Sequence, residues 1–172
     1  IELEPRNGWA QHAVAHVLEM QNRREEGVAW MREDLSRWTG DSYFQVHNWW
    51  HLALFHLGLG DTDAVLALYD DPIRGARSEL AYDMVDASAL LWRLHLMGVD
   101  VGDRWSELAG RWEPAVAESL YAFNDAHAAM AFNAMQARIA AYLKERMQLL
   151  TAISHDLQTP ITRLRLRAEL LD

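Results

Sequence analysis

His155 is followed by Asp156, with Thr159 one helical turn further on and Pro160 directly after it. An imidazole titrates near neutrality, so its neutral nitrogen is available as a nucleophile toward phosphorus. An adjacent carboxylate can hold the proton of the other ring nitrogen and orient the ring. A proline in a helix removes a backbone donor and displaces the carbonyl four residues back, here that of Asp156, which bends the helix just past the histidine. Four more histidines form two pairs, His12 with His16 and His47 with His51. Each pair is spaced by one helical turn and so shares a helix face. Neutral imidazoles so placed could ligate a metal, with Asp86, Asp125 and His127 completing a polar site. Ala13 and Asn48 follow the first histidine of each pair, however, so the general base of a His-Glu-x-x-His zinc peptidase is missing. The favoured reading is a polar groove made by His12, His16, His47, His51, Asp86, Asp125 and His127, hydrogen-bonded across stacked helices, with no metal expected.

The elements that must position these groups are helices. Apolar residues recur at three and four, not two, so the predicted class is all-α. Predicted helices run over 12–20, 25–35, 44–59, 63–69, 80–97 and 103–112, the last ending before Pro114, and the chain is helical again from Val116. Short helices separated by turns at Asn22, Gly60 and Gly98 suggest stacked helical hairpins. The two histidine pairs are offset by 35 residues, close to a tetratricopeptide period. Further on, Leu143, Met147, Leu150, Ser154, Leu157, Ile161, Leu164, Ala168 and Leu171 alternate at four and three, preceded less regularly by Phe132, Met135, Ile139 and Tyr142. That is a coiled-coil seam on one long amphipathic helix, which needs a partner to be stable.

Composition divides the chain at the same place. Residues 1–132 hold ten Lys or Arg and twenty-one Asp or Glu, a net of −11, whereas residues 133–172 hold six and four, a net of +2. All eight tryptophans lie between Trp9 and Trp112. The acidic N-terminal part argues against nucleic-acid binding. With no cysteine, disulfides, thiolate metal sites and thiol nucleophiles are excluded. No apolar run approaches the roughly 20 residues that span a bilayer, and the first residues lack the pattern of a signal peptide, so a cytoplasmic setting is expected.

Two resemblances follow. The stretch Ser154-His155-Asp156-Leu157-Gln158-Thr159-Pro160-Ile161, with the flanking residues 163–169, resembles the H-box of the histidine-kinase dimerisation and phosphoacceptor domain. Residues 131–139 resemble the last helix of a HAMP signalling domain leading into it. Gln158 departs from the arginine more common there. The resemblance implies that His155 takes the γ-phosphate of ATP, that Asp156 orients it, and that Thr159 helps position water in the reverse, phosphatase-type reaction. It implies a homodimer through the C-terminal helix and a response regulator as phosphate acceptor. The second helix of the hairpin and the ATP-binding boxes do not follow within the 172 residues. No cofactor is therefore expected on this chain, ATP arriving through a missing domain, and no autonomous enzyme activity is expected. Residues 8–20, 47–54, 86–94, 98–105 and 121–127 resemble, in order, the tetratricopeptide repeat protein 38 family, which implies a helical-repeat fold without a defined activity. The expected organisation is a repeat module over 1–131 and, over 132–172, the end of a HAMP domain with the first helix of a truncated phosphoacceptor domain. The leading expectation is a fragment of a two-component sensor histidine kinase. The alternative is a non-enzymatic helical-repeat module, binding a protein or ligand, with a passenger helix.

Overall fold

A computed structural model of the chain describes residues 7–40, 43–118 and 121–169, with side chains throughout these ranges except Glu118 and those from Ser154 onward. It is all helical, and no strand occurs among the described residues. Seven α-helices follow one another among the described residues: α1 (Gly8–Met20), α2 (Arg24–Glu33), α3 (Gln45–Gly58), α4 (Thr62–Leu68), α5 (Ala81–Leu96), α6 (Arg104–Glu118) and α7 (Ala122–Glu169). The chain divides into two compact units, Ile1–Phe132 and Asn133–Asp172.

In the first unit the helices pair as hairpins, α1 with α2, α3 with α4 and α5 with α6. The first helices of successive hairpins also pack together, α1 on α3 and α3 on α5. The three hairpin turns are built alike. The residue after the C-cap has positive φ in each: Asn22 at 58°, Gly60 at 78° and Gly98 at 76°. In each turn two backbone N–H groups serve the last helix carbonyls. Asn22 and Arg23 donate to Glu19 and Leu18, Gly60 and Asp61 to Leu57 and His56, and Gly98 and Val99 to His95 and Leu94. This is the Schellman closure, which satisfies carbonyls that the helix itself leaves unpaired. The next helix then returns antiparallel after a short link.

Helix α3 lies at the centre, in contact with α1, α2, α4 and α5. It consequently buries Leu52, Ala53 and Phe55 together with the polar Asn48, His51 and His56. The Phe55 ring fills the space over Gly27 of α2, where a Cβ would stand 2.5 Å from the ring. Between α5 and α6 the Trp112 indole donates to Oγ of Ser88 at 2.9 Å, and Ser88 donates in turn to the carbonyl of Met84 at 2.8 Å. The buried Arg74 guanidinium makes two 3.0 Å bonds to the carboxylate of Glu107, fixing the loop before α5 against α6.

Two helix ends differ from the sequence reading. Helix α2 stops at Glu33 instead of Leu35, because Asp34 is extended (φ −152°) and its carboxylate caps a 3₁₀ turn over Leu35–Arg37. Helix α6 does not end before Pro114 but continues to Glu118. Pro114 and Gly110 are both exposed, so the carbonyl that the proline cannot serve faces water, which lowers the cost of the break.

In the second unit, helix α7 carries the heptad seam. Ile139, Leu143, Met147 and Leu150 are 51%, 55%, 69% and 63% exposed, an apolar stripe in contact with solvent. No helix among the described residues is long and apolar enough to cross a membrane.

Candidate functional site

The histidine pairs of α1 and α3 meet. One ring nitrogen from each of His12, His16, His47 and His51 lies within 4.8 Å of every other. The convergence follows from the packing of the two helices. Both pairs occupy the same face at the same level, because α1 and α3 are the corresponding helices of adjacent hairpins. The same 35-residue step that carries His12 to His47 and His16 to His51 carries these on to Tyr82 and Asp86 of α5. Three neighbouring helices thus each turn a pair of side chains, spaced by four, toward one another.

The hydrogen bonds within the group are directional. Nδ1 of His47 donates to Oδ2 of Asp86 at 2.9 Å, and Nδ1 of His51 donates to Oε2 of Glu19 at 3.1 Å. A carboxylate partner at Nδ1 fixes the tautomer and leaves Nε2 with its lone pair. His51 is 1% exposed, and its Nε2 has no hydrogen-bond partner among the described residues. Nε2 of His12 and Nε2 of His16 are 2.9 Å apart, so one of the two carries the shared proton. Aromatic rings frame the group. Trp50 stacks on His47 at 5.3 Å and 13°, Phe44 lies 5.1 Å from His12, and Tyr82 lies 5.4 Å from His47.

Electrostatics keep the rings of α1 neutral. Burial, then the positive charge that His47, His51 and His16 can carry, pushes the pKa of His12 down to about 4. His16 is lowered in the same way, first by burial and then by His51. Glu19 is held below the usual carboxylate range, chiefly by the bond from His51. Asp86 is raised by burial, which outweighs the bond from His47. Neutral imidazoles such as those of His12 and His16 suit metal ligation or proton transfer rather than a cationic anchoring role.

Of the residues expected in the groove, the structure brings together His12, His16, His47, His51 and Asp86. Asp125 and His127, in the first turns of α7, are not members of the four-imidazole group. Nδ1 of His127 donates instead to the carbonyl of Phe123 in its own helix at 2.8 Å. Glu19 and Tyr82 were missed. Extending the 35-residue step once more from His47 would have found Tyr82; Glu19, three residues after His16, carries no such signal. The H-box side chains His155, Asp156 and Thr159 lie outside the described side chains, although the backbone around them belongs to α7.

The class that the geometry defines is therefore an all-α protein with a histidine cluster between the first helices of its hairpins. Comparison with known proteins adds a second element. A 44-residue segment is 70% identical to the sensor histidine kinase GtrS of Pseudomonas aeruginosa, covering 26% of this chain and 9% of that protein. The chain thus spans about a tenth of the length of that relative, and the kinase link extends to the matched segment alone. No family model matches the chain, and no solved structure matches it.

Proposed function

We propose that the chain is a segment of a sensor histidine kinase, in which His155 takes the γ-phosphate of ATP and passes it to the aspartate of a response regulator. The observation that carries this reading is the 44-residue segment 70% identical to a sensor histidine kinase. We assign that segment to the C-terminal helix, where Ser154-His155-Asp156-Leu157-x-Thr159-Pro160 stands within the heptad. The exposed seam residues Leu143, Met147 and Leu150 support it, because a dimerisation helix must present an apolar stripe to its partners. In this reading two copies pair through α7, and the segment works in the cytoplasm, where ATP and the regulator are found. Nε2 or Nδ1 of His155 attacks the γ-phosphorus, ADP leaves, and Asp156 holds the proton on the other ring nitrogen.

The test supplies the full 172-residue chain with the second hairpin helix and ATP-binding domain of a histidine kinase, together with labelled ATP. Acid-labile label on the chain is expected. Asp156→Asn is expected to slow the transfer, and Thr159→Ala to alter mainly the reverse, phosphatase-type reaction. No label above that of a mixture without the ATP-binding domain would contradict the reading.

A second reading has its own observation. The four-histidine group between α1 and α3 lies in the N-terminal unit and owes nothing to the H-box. It favours a helical-repeat binding module, with the C-terminal helix as passenger.

A further inference from the structure

We infer that His12, His16, His47 and His51 are the ligands of a divalent transition-metal ion of the zinc class, a site independent of the phosphoacceptor reading.

Geometry comes first. A tetrahedral ion at zinc–nitrogen distances of about 2.0–2.1 Å holds its ligand nitrogens about 3.3 Å apart. The four ring nitrogens already lie within 4.8 Å of one another, and two of them are 2.9 Å apart. The group must therefore contract by at most about 1.5 Å between any two nitrogens to close around an ion.

The surroundings are those of a ligand set. Metal-bound histidines commonly donate their second ring nitrogen to a carboxylate, which orients the ring and raises its basicity. Here two of the four do so, His47 to Asp86 and His51 to Glu19. The other nitrogen of His51 is buried without a protein partner, a costly arrangement that an ion at that nitrogen would relieve. The charge also balances, since the two carboxylates offset the two positive charges that four neutral imidazoles leave uncompensated. An all-nitrogen set suits zinc, copper, nickel or iron and disfavours magnesium and calcium, which take oxygen ligands.

Packing offers a rival account, in which the histidines are merely polar members of an aromatic cluster. It explains the contacts with Phe44, Trp50 and Tyr82. It does not explain why four nitrogens face one another, nor why like groups that repel when protonated are held in contact. Binding needs no net loss of a proton, because the hydrogen shared by Nε2 of His12 and His16 moves to Nδ1 of the ring that carries it. All four nitrogens then direct lone pairs at the ion. Four protein ligands leave no open position, so the ion would clip α1 to α3 and, through Asp86, to α5, rather than activate water.

The experiment titrates the metal-free full chain with zinc by calorimetry and with cobalt by visible absorption. One ion per chain is expected, with the intense absorption of four-coordinate cobalt, and X-ray absorption of the zinc form is expected to show nitrogen ligands at about 2.0 Å. His16→Gln removes an exposed ligand that the fold does not need, and is expected to weaken binding at least tenfold. Asp86→Asn is expected to weaken it about 10–100-fold while all four ligands remain. Circular dichroism confirms that each variant is folded. Absence of zinc binding at 100-fold excess over protein, or binding unchanged in both folded variants, would overturn the site.

Discussion

Nδ1 of His47, on α3, donates to Oδ2 of Asp86, on α5, across 2.9 Å, and both side chains are largely buried. This bond ties the second histidine pair to the third hairpin and sets which nitrogen of His47 faces the other imidazoles. Asp86→Ala removes the acceptor and leaves a buried ring N–H unpaired, a loss of about 1–3 kcal/mol. Urea unfolding of the metal-free protein is expected to show a lower midpoint of that size with an unchanged slope. A midpoint equal to wild type would mean that the bond contributes nothing to the packing of α3 on α5.

The Trp112–Ser88 contact gives a prediction remote from any site. Ser88 Oγ both accepts from the buried indole and donates to the carbonyl of Met84. Ser88→Ala strands the indole N–H in a dry interior and is expected to cost about 1–3 kcal/mol. The double variant Ser88→Ala, Trp112→Phe removes both partners and should lose less than the sum of the two single changes. Thermal denaturation of the four proteins measures it.

Gly27 and Phe55 set how closely α2 approaches α3. A Cβ at position 27 would stand 2.5 Å from the Phe55 ring, which is 1% exposed. Gly27→Ala gains helix propensity of about 1 kcal/mol but overpacks the core, at a cost of typically 1–3 kcal/mol. Net destabilisation is expected in chemical denaturation, with partial recovery when Phe55→Leu is added. Stabilisation by Gly27→Ala alone would show that the two helices separate freely.

Tyr69 supplies a dependence on pH. Its side chain is 2% exposed, and burial raises the phenol above the ordinary tyrosine range. Above pH 10 the unfolded chain ionises at this position while the folded chain does not. The unfolded state then binds fewer protons, so stability is full below about pH 10 and falls as pH rises beyond it. Tyr69→Phe is expected to flatten that alkaline decline, read as the denaturation midpoint between pH 9 and 11. An identical decline in both proteins would place the titrating group elsewhere.

The sequence carried much of this architecture in repeated local signals. Helix periodicity and the turn residues Asn22, Gly60 and Gly98 located the three hairpins, because a positive φ after a C-cap demands glycine or asparagine. The offset of the histidine pairs announced their convergence, since corresponding helices of adjacent hairpins share a face. Other features depend on three-dimensional neighbours. Glu19 is an ordinary surface-type residue of α1 until His51 of α3 is laid beside it. His127 has the right chemistry for the groove, and what its Nδ1 contacts is the carbonyl of Phe123 in its own helix. Pro114 carried a stop signal that did not act, because the carbonyl it leaves unserved lies on the exposed side of α6.

The central claim rests on His155, and the most direct measurement is the position of the phosphate. After incubation of the full chain with a kinase second helix, an ATP-binding domain and ATP, peptide mass spectrometry under neutral conditions reads all eight histidines. The account predicts phosphate on the peptide containing His155, none on those containing the other seven, and none anywhere on the chain in His155→Ala. Phosphate on another histidine, or phosphorylation that persists in His155→Ala, would contradict it.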